Sequence, residues 1–137
     1  MDESINLVLF SGTDDKLQAA AVLAAGAAAL GKPVNIFLQY WALDAFRADR
    51  MNRDHGLAPE AGPEGRKAVD ALAAAGQASW ADTLRQAKEL GSVDIQACSL
   101  SMDLLHLEDA DLDSLVDGVE GVTSFYLNAG EGQLVFI

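Results

Sequence analysis

Cys98 is the only cysteine among the 137 residues, and it is the side chain best suited to covalent chemistry. It opens the sequence CSLS and follows directly on the segment SVDIQA. A thiolate is the reactive form of cysteine, and a helix N-terminus lowers the thiol pKa. Because Ser101 occupies the second position of this C-x-x-S motif, no local disulfide can form, so the motif favours a sulfur carrier over a disulfide oxidoreductase. The alternative interpretation is a small, buried apolar residue.

Two further side chains are candidates to stabilise a thiolate at Cys98. Ser101 can donate a hydroxyl hydrogen bond, and backbone N–H groups of the turn after Cys98 can point at the sulfur. The charged residues closest in sequence are acidic, which would raise the thiol pKa, so a cation has to come from elsewhere. Lys16 is the first candidate for that cation and Arg47 is the second. For Lys16 the alternative is a solvated surface lysine.

Apolar runs bounded by turn residues predict strands, and the longer segments between them predict helices. This alternation predicts one α/β domain over residues 1–137, with a mostly parallel five-stranded sheet and helices on both faces. Gly76 is expected to break the third helical region, and a surface loop is expected at about 50–66. The predicted strands are 5–10, 34–40, 92–97, 122–127 and 133–137. The predicted helices are 14–30, 67–90, a short one after 98, and 109–116, and residues 41–50 are predicted to form a short helix or an ordered turn.

The carboxyl ends of parallel strands meet at one edge of a sheet, where ligands of such proteins bind. Three segments follow strand ends there, at 11–16, 40–47 and 98–101. The sequence therefore predicts that Cys98 and Lys16 share this edge. A flavin or nucleotide site at the same edge is a weaker hypothesis, because residues 11–13 lack the spacing of either glycine-rich phosphate motif.

The predicted helix from Asp14 to Leu30 has no polar face over its last three turns. Every residue from Ala19 to Leu30 is Ala, Val, Leu or Gly. A helix of this kind has to be covered on both sides. One side can lie on the sheet, and the other needs a second helix or a second subunit. We expect a homo-oligomer with this helix at or near the interface.

Charge and composition narrow the class of partner and the location. The net charge is −12, which argues against nucleic acid and anionic membranes. No Lys or Arg follows Lys88, so the acidic second half is either a solvated surface or a docking face for a basic protein.

MDESIN has no features of a signal peptide, and no apolar stretch is long enough to span a bilayer, so a cytoplasmic protein is predicted. A single cysteine excludes an internal disulfide and a cysteine-based zinc site, and no cofactor or metal is expected.

Three separated segments resemble the DsrE/DsrF-like family, in particular its branch that carries the name peroxiredoxin. They are LVLFSGTDDKLQAAAVLAAGAAALGKPVNIFLQYWAL, IQACSLSMDLL and DGVEGVTSFYL, in that order. The resemblance covers nearly the whole chain outside 50–66, where this branch's methionine- and glycine-rich stretch is missing. It implies a flavodoxin-like three-layer fold, an oligomer and the handling of sulfane sulfur.

In that family the cysteine that matches Cys98 holds sulfur as a persulfide or thiosulfonate. It passes the sulfur between proteins such as TusA-like carriers and rhodaneses. The resemblance therefore implies a cytoplasmic sulfur carrier or sulfurtransferase, with a single acceptor and donor sulfur, because this chain has no second cysteine. The alternative is an oligomeric binding or regulatory module that keeps the fold without the chemistry.

Overall fold

A computed structural model describes residues 3–137, so Met1 and Asp2 lie outside it. Five strands form one sheet in the order β4-β3-β2-β1-β5, and every neighbouring pair is parallel. The predicted parallel α/β sheet with helices on both faces is confirmed. The elements are β1 (Ile5–Leu9), α1 (Asp14–Ala29), β2 (Val34–Leu38), α2 (Tyr40–Ala45), α3 (Gly62–Ala74), α4 (Trp80–Leu90), β3 (Val93–Cys98), α5 (Ser99–Leu104), β4 (Gly118–Glu120), α6 (Val122–Ala129) and β5 (Gln133–Phe136).

Alternation along the central strands gives the sheet two unequal faces. The first face carries Leu7, Ile36 and Ile95, and helices α1 and α4 cover it to form the main core. The second face carries Val8, Phe37 and Cys98, and its buried cluster includes one residue of α6, Phe125. The two faces therefore differ in cover, and Cys98 lies on the thinly covered one.

The side of helix α1 that faces away from the sheet is covered in large part by another helix of the same chain, α4. Its buried residues include Leu17, Ala20 and Ala24, and the helix packs closely along α4 as well as on the sheet. Small side chains permit this close approach of two helices. Val22 and Leu23 remain about half exposed, at 55% and 47%. A homo-oligomer through α1 stays a prediction. The exposed apolar surface that supports it is smaller than the whole uncovered side that the sequence suggests.

The segment VTSFYL was expected to be a strand, and that prediction is wrong. Residues Val122–Ala129 form helix α6, and the fourth strand is the three-residue segment Gly118–Glu120. β-Branched and aromatic residues favour strands only when a pleated surface is available to them. Here Phe125 and Ala129, four residues apart, are the buried pair that the helix lays on the sheet.

Helix boundaries elsewhere agree in part with the predictions. A break at Gly76 is confirmed, and Ser79 caps α4 by accepting a hydrogen bond from the backbone N–H of Asp82. The expected loop at 50–66 is partly helical, because a 3₁₀ turn covers Pro59–Ala61 and α3 begins at Gly62. Only Asp109–Asp111 of the predicted helix 109–116 is helical, as one 3₁₀ turn.

Helix α3 stands apart from the sheet layers, since none of its residues is buried. In the part of the chain that the structure describes, no helix is long and apolar enough to cross a membrane.

Candidate functional site

Cys98 ends β3 and is the N-cap residue of α5, as the sequence predicts. The parallel register places the ends of β1, β2 and β3 side by side, at Leu9, Leu38 and Cys98. The three strand ends therefore share one edge. Cys98 therefore lies where the sequence predicts it, at the carboxyl edge of the sheet.

The thiol lies in an apolar enclosure. Cys98 is 5% exposed and packs in a cluster with Val8, Phe37 and Phe125. The rings of Phe37 and Phe125 stack with centroids 4.9 Å apart and planes 17° apart. Phe125 belongs to α6, so that helix is the cover of the thiol. A sulfur attached to Cys98 would be held away from water by the same side chains.

The hydrogen bonds expected to stabilise a Cys98 thiolate are not the ones that the structure shows. Backbone N–H groups of α5 make no capping hydrogen bond to the Cys98 side chain. Ser101 is fully buried, and its Oγ accepts a hydrogen bond from the backbone N–H of Tyr40 at 3.0 Å. Tyr40 has a φ of 44°, a left-handed conformation that a tyrosine rarely adopts. Ser101 thus fixes the start of α2 to α5 and stabilises an unfavourable turn.

Lys16 is not brought to the thiol. It lies in α1, which covers the first face of the sheet, whereas Cys98 points to the second face. β2 separates β1 from β3 in the sheet, a lateral distance of roughly 10 Å between the outer two strands. Arg47 forms ion pairs with Asp44 at 3.3 Å and with Asp49 at 3.0 Å. The structure therefore gives neither predicted cation a contact with Cys98.

Both ends of α6 are tied to the sheet. At its C-terminal end the buried Ser4 hydroxyl donates to the carbonyl oxygen of Ala129 at 3.1 Å. Along one side, Glu120 Oε1 accepts hydrogen bonds from Ser124 and Asn128, at 3.0 and 3.3 Å. Glu120 pairs in register with Cys98, so it fixes the cover directly beside the cysteine strand.

Two cavities open elsewhere on the molecule, and Cys98 lines neither. One of about 600 Å³ lies below α3, between the first turns of α1 and α4, and includes Trp80 and Arg66. Another of about 390 Å³ lies at the ends of β1 and β2, and includes Arg50 and His55. The second cavity is lined by residues 11–13, the segment to which the weaker nucleotide hypothesis applies. Neither of these two cavities reaches Cys98, which lies in the buried cluster of the second face.

Acidic residues at the start of α1 hold the loop that precedes α3. Asp14 accepts hydrogen bonds from the indole N–H of Trp80 at 2.9 Å and the backbone N–H of His55 at 3.0 Å. Asp15 accepts from the backbone N–H of Ala58 at 3.1 Å. Partial burial acts to raise the pKa of Asp15, but the Thr13 hydroxyl and backbone N–H groups outweigh it and hold that pKa below its ordinary value.

The cover of the thiol is the part of the site that sequence reasoning missed. The sequence predicts a strand at Phe125, and this prediction does not place Phe125 in the buried cluster of Cys98. The spacing of four between Phe125 and Ala129 was the available signal, since it matches one face of a helix. The bond from Tyr40 to Ser101 had no local signal, because 61 residues separate the two.

The parallel sheet with helices on both faces defines a three-layer α/β protein, and its single cysteine lies at a strand end. Comparisons with known proteins identify the family. The model of the DsrE/DsrF/DrsH-like family matches residues 1–62. The Bacillus subtilis protein YrkE is 30% identical over 151 residues, covering 93% of this chain and 92% of YrkE. The chain belongs to the DsrE/DsrF/DrsH-like family, a family related to sulfur relay.

The fold is also found in a solved structure. MTH1491 from Methanobacterium thermoautotrophicum, described as a protein of unknown function, superposes with a TM-score of 0.62. The match covers 99% of this chain and 100% of MTH1491 at 12% sequence identity. At that identity the likeness concerns the fold, and it supports the flavodoxin-like three-layer arrangement.

Proposed function

We propose that this protein is a cytoplasmic sulfur carrier in which Cys98 accepts sulfane sulfur and passes it to the thiolate of a partner protein. The observation that carries the proposal is that the only cysteine, 5% exposed at the shared strand edge, belongs to a buried apolar cluster with Val8, Phe37 and Phe125. Membership of a sulfur-relay-related family supports it. TusA-like carriers and rhodaneses are the proposed kinds of exchange partner.

The chemistry needs no oxidant or reductant. In loading, the Cys98 thiolate attacks the outer sulfur of a donor persulfide, the new S–S bond forms on Cys98, and the donor leaves as a thiolate. In unloading, a partner thiolate attacks the outer sulfur on Cys98, and Cys98 leaves as a thiolate. Each step exchanges one S–S bond for another. With no second cysteine in the chain, no internal disulfide competes.

The residues take unequal roles. Cys98 is the acceptor and donor, and Ser101 is a positioning residue that holds α5 against Tyr40. The apolar enclosure stores the loaded sulfur away from water and competing thiols, so α6 has to move for either exchange step. Lys16 has no part in the proposal, because it lies on the other face of the sheet.

Loading is tested by incubating the protein with inorganic polysulfide and then measuring the intact mass. We expect the mass of added sulfur on the wild type, its absence on Cys98→Ser, and its removal by a thiol reductant. Total thiol reactivity after denaturation shows that Cys98 was reduced at the start. A native protein that alkylating reagents reach but polysulfide does not load would refute the carrier function.

A second candidate is a binding or regulatory module in which Cys98 only fills the core. The absence of a capping bond at Cys98 favours it. Cellular replacement of the gene by a Cys98→Ala version decides between the two, because a module keeps its function and a carrier loses it.

A further inference from the structure

Exposed apolar side chains are present on α5 and α6, which adjoin the cysteine strand, and on the edge strand β5. Among those that are at least half exposed are Leu100 at 60%, Val122 at 50%, Tyr126 at 61% and Phe136 at 63%. We call these four side chains the thiol-side patch. Single exposed apolar residues are ordinary, but a grouped set of large ones marks an interaction surface.

Two sets of contacts place members of this patch at the strand ends. The first residue of α5 lies against Gly121, the N-cap of α6, so Leu100 and Val122 are at neighbouring helix starts. On the other side, Phe136 packs on Phe10 with ring centroids 5.9 Å apart, and Phe10 packs on Tyr40 at 4.9 Å.

The direction in which α6 presents its side chains follows from its polar contacts. Ser124 and Asn128 bond to Glu120 of β4, which is an edge strand. On a helix, Val122 and Tyr126 lie on the side opposite to those two residues. They therefore face the thinly covered half of the sheet, toward β1 and β5.

The charged side chains of α5 and β4, which adjoin Cys98, are acidic. No Lys or Arg follows residue 88, while ten carboxylates do. Asp103 is exposed on α5, and Glu120 ends β4 beside Cys98. The last cation of the chain, Lys88, already binds Asp117 at 2.5 Å. A second copy that met this surface with its own would bring like charges together.

We propose that the thiol-side patch docks a basic partner protein, one that presents a reactive cysteine beside apolar side chains and a rim of Lys or Arg. This inference rests on the carrier function proposed above and names the chemistry of the partner. Complementary charge accelerates encounter and selects among partners, and the apolar centre supplies contact area.

The test uses two synthetic peptides, each with one cysteine next to a tryptophan, flanked either by lysines or by glutamates. Cys98 is loaded with polysulfide, and the transfer of sulfur to each peptide is followed by mass spectrometry. Lysines also lower the pKa of a neighbouring thiol, so both rates are divided by the rates with glutathione persulfide. We expect the lysine peptide to be favoured by roughly tenfold or more at about 0.02 M salt, and the preference to shrink at about 0.5 M.

Three variants test whether the preference for the lysine peptide depends on the carboxylates beside Cys98. Glu120→Gln keeps an oxygen acceptor for α6 and removes the charge, so it should reduce the preference, as should Asp103→Asn. Glu89→Gln is the matched control, because Glu89 is exposed near the end of α4, which packs on the other face of the sheet. Its preference should equal that of the wild type. A preference that all three variants leave unchanged would overturn the proposal.

Other outcomes separate this inference from the carrier function. If polysulfide loads Cys98 but both peptides take the sulfur at equal normalised rates, the docking proposal fails and the carrier function stands. If Cys98 is accessible and does not load, both fail. Sedimentation tests the competing occupant: a dimer that Tyr126→Glu dissociates would show that a second copy covers the thiol-side patch, and would overturn the proposal.

Discussion

Replacing Phe125 with alanine should expose Cys98 while the rest of the fold stays intact. Phe125 is 1% exposed, stacks on Phe37 and belongs to the cluster around the thiol. Only one other residue of α6, Ala129, is buried. The aromatic ring therefore supplies most of the apolar contact that holds α6 on the sheet, and its removal favours the state in which α6 is lifted.

The size of the effect follows from the buried ring. A buried Phe→Ala change costs about 3–5 kcal/mol. Because α6 lies at the periphery and can settle into the space, we expect a value near the lower end, about 3 kcal/mol. When reclosing is fast, modification of a covered group follows the population of the open state. At about 1.4 kcal/mol for each factor of ten, the alkylation rate of Cys98 should rise by roughly 100-fold.

The assay is the rate of alkylation of Cys98 by iodoacetamide under native conditions, repeated at low urea concentrations. Local lifting of α6 exposes little surface, so its rate should depend weakly on urea, whereas global unfolding would give a steep dependence. Phe125→Leu should raise the rate by about fivefold, since a partly conserved apolar volume costs about 1 kcal/mol.

Tyr126→Ala is the matched control for this experiment. Tyr126 is the neighbouring aromatic residue on the same helix, but it is 61% exposed. Its loss should change the rate by no more than about twofold. Equal rates in the wild type and in Phe125→Ala would refute the assignment of α6 as the cover, as would an equally large increase in Tyr126→Ala.

Three further predictions concern stability and are measured by urea unfolding. Gly12→Ala should destabilise the fold by about 1–3 kcal/mol, because its new methyl group would lie 2.3 Å from a backbone oxygen of α2. The same change at Gly26, which has open space around it in α1, should stabilise the fold by about 0.5–1 kcal/mol, so equal signs would contradict the packing. Asp15 has a folded pKa below its ordinary value of 3.8, so its carboxylate stabilises the fold above that pH and loses this effect as the pH falls through the folded pKa. The stability difference between wild type and Asp15→Asn should therefore shrink from pH 7 to about pH 3, and growth of that difference would contradict the sign. Asp117→Ala should cost about 1–3 kcal/mol, because its carboxylate accepts hydrogen bonds from β3 at 2.8 Å and from the ammonium of α4 at 2.5 Å, and a loss under about 0.5 kcal/mol would show that this link is dispensable.

The first three strands and α1 could be predicted because their signals are local. Apolar runs such as INLVLF end at turn residues, and Gly31 follows α1 with a φ of 78°. The fourth strand had no such signal. Gly118–Glu120 is three residues long, and it is a strand because it pairs with the end of β3. With that pairing unknown, the β-forming residues of VTSFYL were the better local candidate.

The features of the candidate site also separate into those with a local sequence signal and those that depend on contacts across the fold. The position of Cys98 at a strand end follows from the local sequence, and the structure places it there. The face of the sheet to which it points depends on where each helix crosses, so the sequence could not separate Cys98 from Lys16. Ser101 has the right distance along the chain to support a thiolate, but its oxygen bonds to Tyr40 across the fold.

The closed environment of Cys98 also constrains how a carrier of this design would operate. A solvent-exposed persulfide would exchange with any small thiol, while a covered one exchanges only when α6 lifts. The rate of transfer is then the fraction of open molecules multiplied by the rate of attack on the open form. A partner that docks beside α6 and favours its lifted state increases the first factor, and a high local concentration of its thiolate increases the second. Small thiols gain from neither, so the cover would convert a chemically unselective sulfur into one that is delivered according to which protein binds.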